Sequence, residues 1–221
     1  MTQFPAPRLY LVTPVVDDTA PLLRDLDAAL GAADVAAVLL RLADAEERTL
    51  VNRAKAIAAA VQRRDVALLL DGHPDLVAHA GADGAHLTGI VAFTAAVGTL
   101  KPDRIAGAGG LHSRHDAMLA GEAGADYAMF GEPPASPARQ AGENRPEGRH
   151  PPLPALLERI EWWAELIELP CIGYAATAQE IRPLAQAGAD FVALGDWIWN
   201  EPQGAAAVVA AAAITLAEPA A

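Results

Sequence analysis

One eight-residue phrase recurs along the chain and narrows the folds open to it. Ala80-Gly81-Ala82-Asp83-Gly84-Ala85-His86-Leu87 returns as Ala123-Gly124-Ala125-Asp126-Tyr127-Ala128-Met129-Phe130, and again as Ala187-Gly188-Ala189-Asp190-Phe191-Val192-Ala193-Leu194. A weaker copy runs from Gly31 through Asp34 to Val38. Each copy follows a helix-like segment and leads into a short apolar stretch. A glycine at that point suits the left-handed residue that ends a helix. The aspartate belongs to a polar turn, and the apolar stretch reads as a strand buried on both faces. Helix, turn and strand repeated in this way predict a parallel α/β sheet. Helix-to-strand turns lie opposite the ligand end of such a sheet, so the phrase marks stability rather than chemistry.

Read in order, the chain supplies eight such strands. They are predicted at Leu9 to Thr13 (ended by Pro14), Val35 to Leu40, Val66 to Leu70, Gly84 to Leu87, Ile105 to Gly107, Tyr127 to Phe130, Cys171 to Tyr174 and Phe191 to Leu194. Helices follow each: one capped by Asp18 or Thr19 and running through Leu30, then Glu46 to Gln62 and Pro74 to Ala80. Further helices run through Val97, start at Ser113 with Asp116 three residues on, and cover Pro154 to Leu166, Ala178 to Ala187 and Pro202 to Leu216. Eight strand–helix units predict a closed (β/α)8 TIM barrel over residues 1–221, with an open doubly wound sheet as the alternative. The rhythm breaks between 131 and 152, where six prolines and three glycines predict a mobile lid between the sixth strand and its helix.

Charge and composition exclude several classes. A net charge of −12 offers no basic stripe for nucleic acid. The lone Cys171 rules out an internal disulfide and suits a reducing cytosol. Met1 to Pro5 lacks the features of a signal peptide, and the alanine-rich run Ala205 to Leu216 is too short to span a bilayer. These features predict a cytoplasmic protein that binds a small molecule at the barrel's C-terminal face.

The strand ends bring Arg41, Asp71-Gly72-His73, His86, Thr88-Gly89, Gly109 to His112, Glu132, Tyr174-Ala175-Ala176 and Gly195-Asp196 to that face. Arg41 has two readings, as a partner for a carboxylate such as Asp71 or as an anion-binding group. His86 alternates with core residues and reads as a hydrogen-bonded interior histidine, while His112 and Ser113 read either as groups at the ligand end or simply as the start of a helix. Glu132, between glycine and proline at the mouth, is either a solvated loop charge or a partly desolvated carboxylate suited to general acid–base work. The scattered histidines and aspartates give no convincing metal site, and no phosphate-binding loop motif or catalytic triad spacing occurs. Trp197 and Trp199 read as core or as an association surface.

At Leu9 to Thr13, Leu40-Arg41, Asp75-Leu76, Gly81 to Leu87, Gly124 to Gly131 and Ala187 to Asp190, the chain resembles the thiamine-phosphate synthase and thiazole tautomerase family along essentially its full length. A synthase of that family joins an aminomethylpyrimidine diphosphate to a thiazole phosphate and needs magnesium on the leaving diphosphate. The resemblance places Arg41, Asp71, His73, His112, Arg139, Ala175, Ala176, Gly195 and Asp196 around the substrate. It also shows departures. The positions matching the metal-binding aspartates are Gly72 and Val91, and the lid motif keeps only the cation of Ser136-Pro137-Ala138-Arg139. The Gly-Gly pair that cradles phosphate reads Ala175-Ala176, and the serine beside it reads Asp196.

On these losses the chain is expected to be a diverged family member that needs no metal and no cofactor. Tautomerase-like proton transfer on a thiazole-type substrate fits what remains, with Glu132 as the acid–base residue. A non-catalytic barrel that binds a metabolite or partner is one alternative, and a true synthase with a rearranged pocket is another. Arg139, Arg145, Arg149 and His150 are either solvated or an anion clamp, and the family resemblance implies a homodimer.

Overall fold

The computed structural model describes residues 6–133 and 151–218. Eight parallel strands close on themselves in sequence order. They are β1 (Arg8–Val16), β2 (Val35–Leu42), β3 (Ala67–Asp71), β4 (Gly84–Thr88), β5 (Ile105–Gly109), β6 (Tyr127–Phe130), β7 (Cys171–Ala175) and β8 (Phe191–Leu194). β1 pairs with both β2 and β8, so the predicted (β/α)8 barrel is closed and the open-sheet alternative is excluded. Around it lie α1 (Thr19–Ala32), α2 (Glu47–Gln62), α3 (Val77–Ala80), α4 (Ile90–Leu100), α5 (Arg114–Glu122), α6 (Leu153–Leu166), α7 (Ile181–Gln186) and α8 (Ala205–Ala217). Among the described residues no helix is long and apolar enough to cross a membrane.

The period of two along each strand divides the core into two layers. Leu9, Leu11, Val38, Leu40, Leu68 and Leu70 point out and pack beneath the helices. Tyr10, Val12, Leu39, Leu69, Met129, Ile172 and Tyr174 point in and fill the barrel. Burying such a side chain contributes about 1.5–3 kcal/mol, so this inner plug is a principal support of the strand ends above it. Two helix starts follow directly from sequence. Asp18 accepts the Ala20 N–H at 3.0 Å, and Ser113 and Asp116 bond reciprocally as a capping box.

The recurring phrase does one job three times. Gly81, Gly124 and Gly188 take φ of +70°, +98° and +97°, where a side chain would be strained. The aspartate two residues on then clasps the preceding strand. Asp83 donates its N–H to the Leu68 carbonyl at 2.9 Å and accepts the Leu68 N–H at 2.7 Å. Asp126 does the same with Ala106 at 2.9 and 2.7 Å, and Asp190 with Cys171 at 3.0 and 2.8 Å. The weaker copy differs: Gly31 lies inside α1, and Asp34 forms an exposed ion pair with Arg8.

Some boundaries shift from the sequence expectation. β1 does not stop at Pro14 but continues to Val16, because a register shift between Val12 and Val15 absorbs the residue that cannot donate. α4 runs past Val97 to Leu100, and the last helix starts at Ala205 rather than Pro202. A 3-10 turn at Asp196–Asn200 stands between β8 and α8.

Candidate functional site

The irregular end of β1 positions the first functional side chain. The buried Thr13 hydroxyl accepts the Arg41 N–H at 3.0 Å and donates to the Pro14 carbonyl at 2.8 Å. This replaces a ladder bond and fixes Arg41 near the end of β2. The arginine side chain is only 4% exposed. Its Nη1 lies 3.3 Å from Asp196 Oδ2, and its Nε lies 3.8 Å from Asp71 Oδ2. The carboxylate-partner reading is therefore observed, with Asp71 as anticipated and Asp196 as a second partner.

Across the mouth, Glu132 follows β6 and accepts a hydrogen bond from the Gly110 N–H. The close approach depends on glycine: a Cβ on Gly109 would meet His86 Nε2 at 2.4 Å and Glu132 Oε1 at 2.8 Å. Glu132 and His86 thus converge on one point above β5. His86, 1% exposed, is the interior histidine that alternation predicts. Its Nδ1 is 3.0 Å from the Tyr127 hydroxyl, which is 3.1 Å from the Tyr10 hydroxyl. Gly107 makes room for this line, since a Cβ there would fall 2.1 Å from the Tyr127 oxygen. Burial pushes both phenols well above their usual range, so they remain neutral hydroxyls.

The third sector lies at the ends of β7 and β8. Ala175 is fully buried, and its carbonyl accepts from the Gly195 N–H at 3.2 Å and the Trp197 indole at 3.0 Å. The Ala176 N–H donates to Glu180 Oε2 at 2.7 Å. Gly195 has no room for a side chain, because a Cβ would lie 2.5 Å from the Tyr174 hydroxyl. Burial, and then the charge of Asp196, pushes the Tyr174 phenol well up. Trp199 donates to the Val12 carbonyl at 2.8 Å, so both tryptophans pack on the core with satisfied indoles. Like charges about 4 Å apart repel by about 4 kcal/mol near a protein surface. An anion entering here would first have to part Asp196 from Arg41.

The structure therefore gathers Arg41, Asp71, Glu132, Ala176, Gly195 and Asp196 around one mouth. His73 is half-buried at the turn after β3, and His112 is exposed where α5 begins. Arg139, Arg145, Arg149, His150 and most of the predicted lid at 131–152 lie outside the described residues. Sequence reading missed the Tyr10–Tyr127–His86 line, although Tyr127 and Met129 share the inward parity of their strand. It also missed Glu180, whose signal was the Thr177-Ala178-Gln179-Glu180 spacing of a helix start.

Magnesium, which the resemblance implies for a diphosphate leaving group, would need oxygen donors at the mouth. Gly72 offers no side chain, and Val91 is an apolar residue that is 80% exposed. Asp71 faces Arg41. Among the described residues no group of three or more His, Cys, Asp or Glu is placed to hold a metal ion. The donor set does not fit the ion.

Comparison with known proteins supplies the remaining findings. The sequence profile described as thiamine monophosphate synthase matches residues 9–198. A thiamine-phosphate synthase of Rhodospirillum centenum is 40% identical over 92% of this chain and 94% of its own. One from Hyphomonas neptunium is 36% identical over 94% and 92%. Both carry the synthase name. Among solved structures, a thiamine phosphate pyrophosphorylase from Pyrococcus furiosus superposes with a TM-score of 0.72 at 20% identity, covering 95% of each chain. A 3-hexulose-6-phosphate synthase gives 0.66 at 17% identity, covering 92% of this chain and 99% of its own. At such identities these two structures speak for the fold alone.

Proposed function

The chain belongs to the thiamine monophosphate synthase family, and on that premise we propose that it transfers an aminomethylpyrimidine group from its diphosphate to a thiazole acceptor. The reading is that of a synthase with a rearranged pocket, and it is preferred to tautomerase-like proton transfer. The observation that carries it is identity of 40% with a named synthase along 92% of the chain, beside a family match over residues 9–198 that takes in the C-terminal ends of all eight strands. In the transfer, the methylene–oxygen bond to diphosphate breaks and its electron pair leaves with diphosphate. The thiazole ring nitrogen forms the new bond to that methylene.

The residues at the mouth suit the organic parts of both substrates. Glu132, held by the Gly110 N–H beside His86, is a fixed acceptor for the amino group of a pyrimidine. The phenols of Tyr10 and Tyr127 beneath it hold the His86 imidazole in orientation. Arg41, Asp71 and Asp196 form a rigid opposite wall. Holding two reactants in one such cup lowers the entropic barrier to their joining.

The test is incubation of the purified chain with the pyrimidine diphosphate and a thiazole acceptor, with and without magnesium. Diphosphate should appear in step with the coupled product. No diphosphate under any of these conditions would end the synthase reading. Proton exchange on a thiazole carboxylate phosphate alone, abolished in Glu132→Gln, would put the tautomerase in its place.

A further inference from the structure

We propose that Arg159, on helix α6, is a positioning residue for the transfer: it fixes the glycine turn that holds Glu132 at the mouth. The inference rests on the transfer reading above and adds to it a residue from outside the pocket that governs how the pyrimidine is held.

β5 ends at Gly109 and α5 begins at Arg114, so the turn between them has no ladder or helix to stiffen it. Glycines lead into it, and glycine has more backbone freedom to lose than any other residue. Gly110 stands at φ +61°. The turn is tied on both sides. Towards β4, the Gly109 carbonyl accepts the Gly89 N–H at 2.7 Å, and a Cβ on Gly110 would lie 2.6 Å from Thr88. Towards α6, Arg159 Nη1 donates to the Leu111 carbonyl at 2.9 Å, and the Leu111 side chain is buried. Between these two ties lies the Gly110 N–H, which donates to Glu132.

Arg159 can hold the turn because its own helix is fixed: α6 buries Leu156, Ile160 and Trp163. Its bond to the carbonyl comes from a charged, half-buried donor, which makes it stronger than a neutral bond of the same length. A second link joins the same two elements. Arg114 Nη2 lies 3.2 Å from Glu158 Oε1, and its guanidinium stands 4.8 Å from the centre of the Trp162 ring. Those two charged side chains are 52% and 75% exposed, so their pairing contributes little. Restraint from the α6 side therefore falls to Arg159. Without it the Leu111 carbonyl loses its partner, Gly110 is free to turn its N–H away, and Glu132 loses the donor that aims it at the amino group.

Arg159→Met keeps an aliphatic stem and removes the donor, which separates this role from packing. Amide exchange in the full chain reads the turn directly: the Gly110 amide should exchange at least about tenfold faster in the variant, with strand amides unchanged. In the coupling assay, KM for the pyrimidine diphosphate should rise about tenfold while kcat and the acceptor KM stay within about twofold, the pattern of lost uniform binding. Glu158→Gln should leave both readings unchanged. In a Glu132→Ala background, adding Arg159→Met should weaken calorimetric binding of the pyrimidine diphosphate by less than about twofold, because the turn then has no carboxylate to aim. Unmoved Gly110 exchange, an acceptor KM that rises as far as the pyrimidine KM, an equal effect from Glu158→Gln, or a full loss in the Glu132→Ala background overturns the inference. The two proposals fail separately. Unmoved exchange in a chain that forms coupled product removes this inference and keeps the transfer reading. Faster exchange and weaker pyrimidine diphosphate binding in Arg159→Met, with no coupled product from the native chain, keeps the hold of Arg159 on Glu132 and removes the transfer reading.

Discussion

The two ends of the barrel use the same residue type in opposite ways. At the helix-to-strand end, Asp83, Asp126 and Asp190 each clasp one residue of the neighbouring strand through a pair of backbone bonds. The geometry is the same three times, so the sequence around it is nearly the same three times. At the strand-to-helix end, Asp71, Glu132 and Asp196 occupy three unlike settings around a single arginine and a glycine turn. Repetition marks a local mechanical task that any unit of the fold must perform. Its absence at the other end marks positions whose partners come from elsewhere in the chain.

That contrast is breakable by substitution. The largest effect is expected from Arg41→Met, which leaves Asp71 and Asp196 without their cation. It should destabilise the fold by about 3 kcal/mol, read from the urea midpoint. A loss no greater than that from removing a clasp would show that the mouth is not where charge is at stake. Asp190→Ala should cost about 1–2 kcal/mol by stranding the Cys171 N–H, with Asp126→Ala alike in size. Unequal losses at the two clasps would refute the claim that they are equivalent.

Titration gives an intermediate effect. Burial, and then the charge of Asp190, pushes the Cys171 thiol from 9.0 up to about 12. The folded chain therefore keeps a proton that the unfolded chain has released. Stability from this source is fully present below about pH 9 and is lost as pH climbs toward about 12. The buried phenols of Tyr10, Tyr127 and Tyr174 act in the same direction. Urea unfolding across that window should show the decline, and Cys171→Ala should make it shallower. An equal slope in the variant would remove Cys171 from the account. The smallest effect is expected from Asp34→Ala, below about 0.5 kcal/mol, because its pair with Arg8 is exposed on both sides. A loss comparable with Asp190→Ala would make the fourth copy a working clasp after all.

The barrel was legible because its signals are local. A glycine that must take positive φ, an aspartate two residues later and an apolar strand all lie within one short phrase, and parity then assigns inward and outward faces. Seven of the eight strand assignments lie within two residues of the observed ends; only β1 was read further short. The errors have local causes too: Pro14 reads as a stop when the ladder has no irregularity to absorb it. At the mouth, the sequence placed Arg41, Glu132 and Asp196 at the strand-to-helix end, since each stands at or just after the end of a strand. Of their partners only Asp71, beside Arg41, was legible.

Arg41 and Asp196 stand 155 residues apart, Tyr10 and Tyr127 stand 117 apart, and His86 and Tyr127 stand 41 apart. The amino-acid order determined the eight-unit rhythm, the turn chemistry and the two-layered core, because those follow from backbone conformation and side-chain period within a few residues. Only closure of the sheet decided which acid from the end of β8 meets the buried arginine and which phenol meets Tyr10 across the barrel. Those contacts exist only once β8 returns to β1, and no spacing along the chain encodes the distance that closure produces.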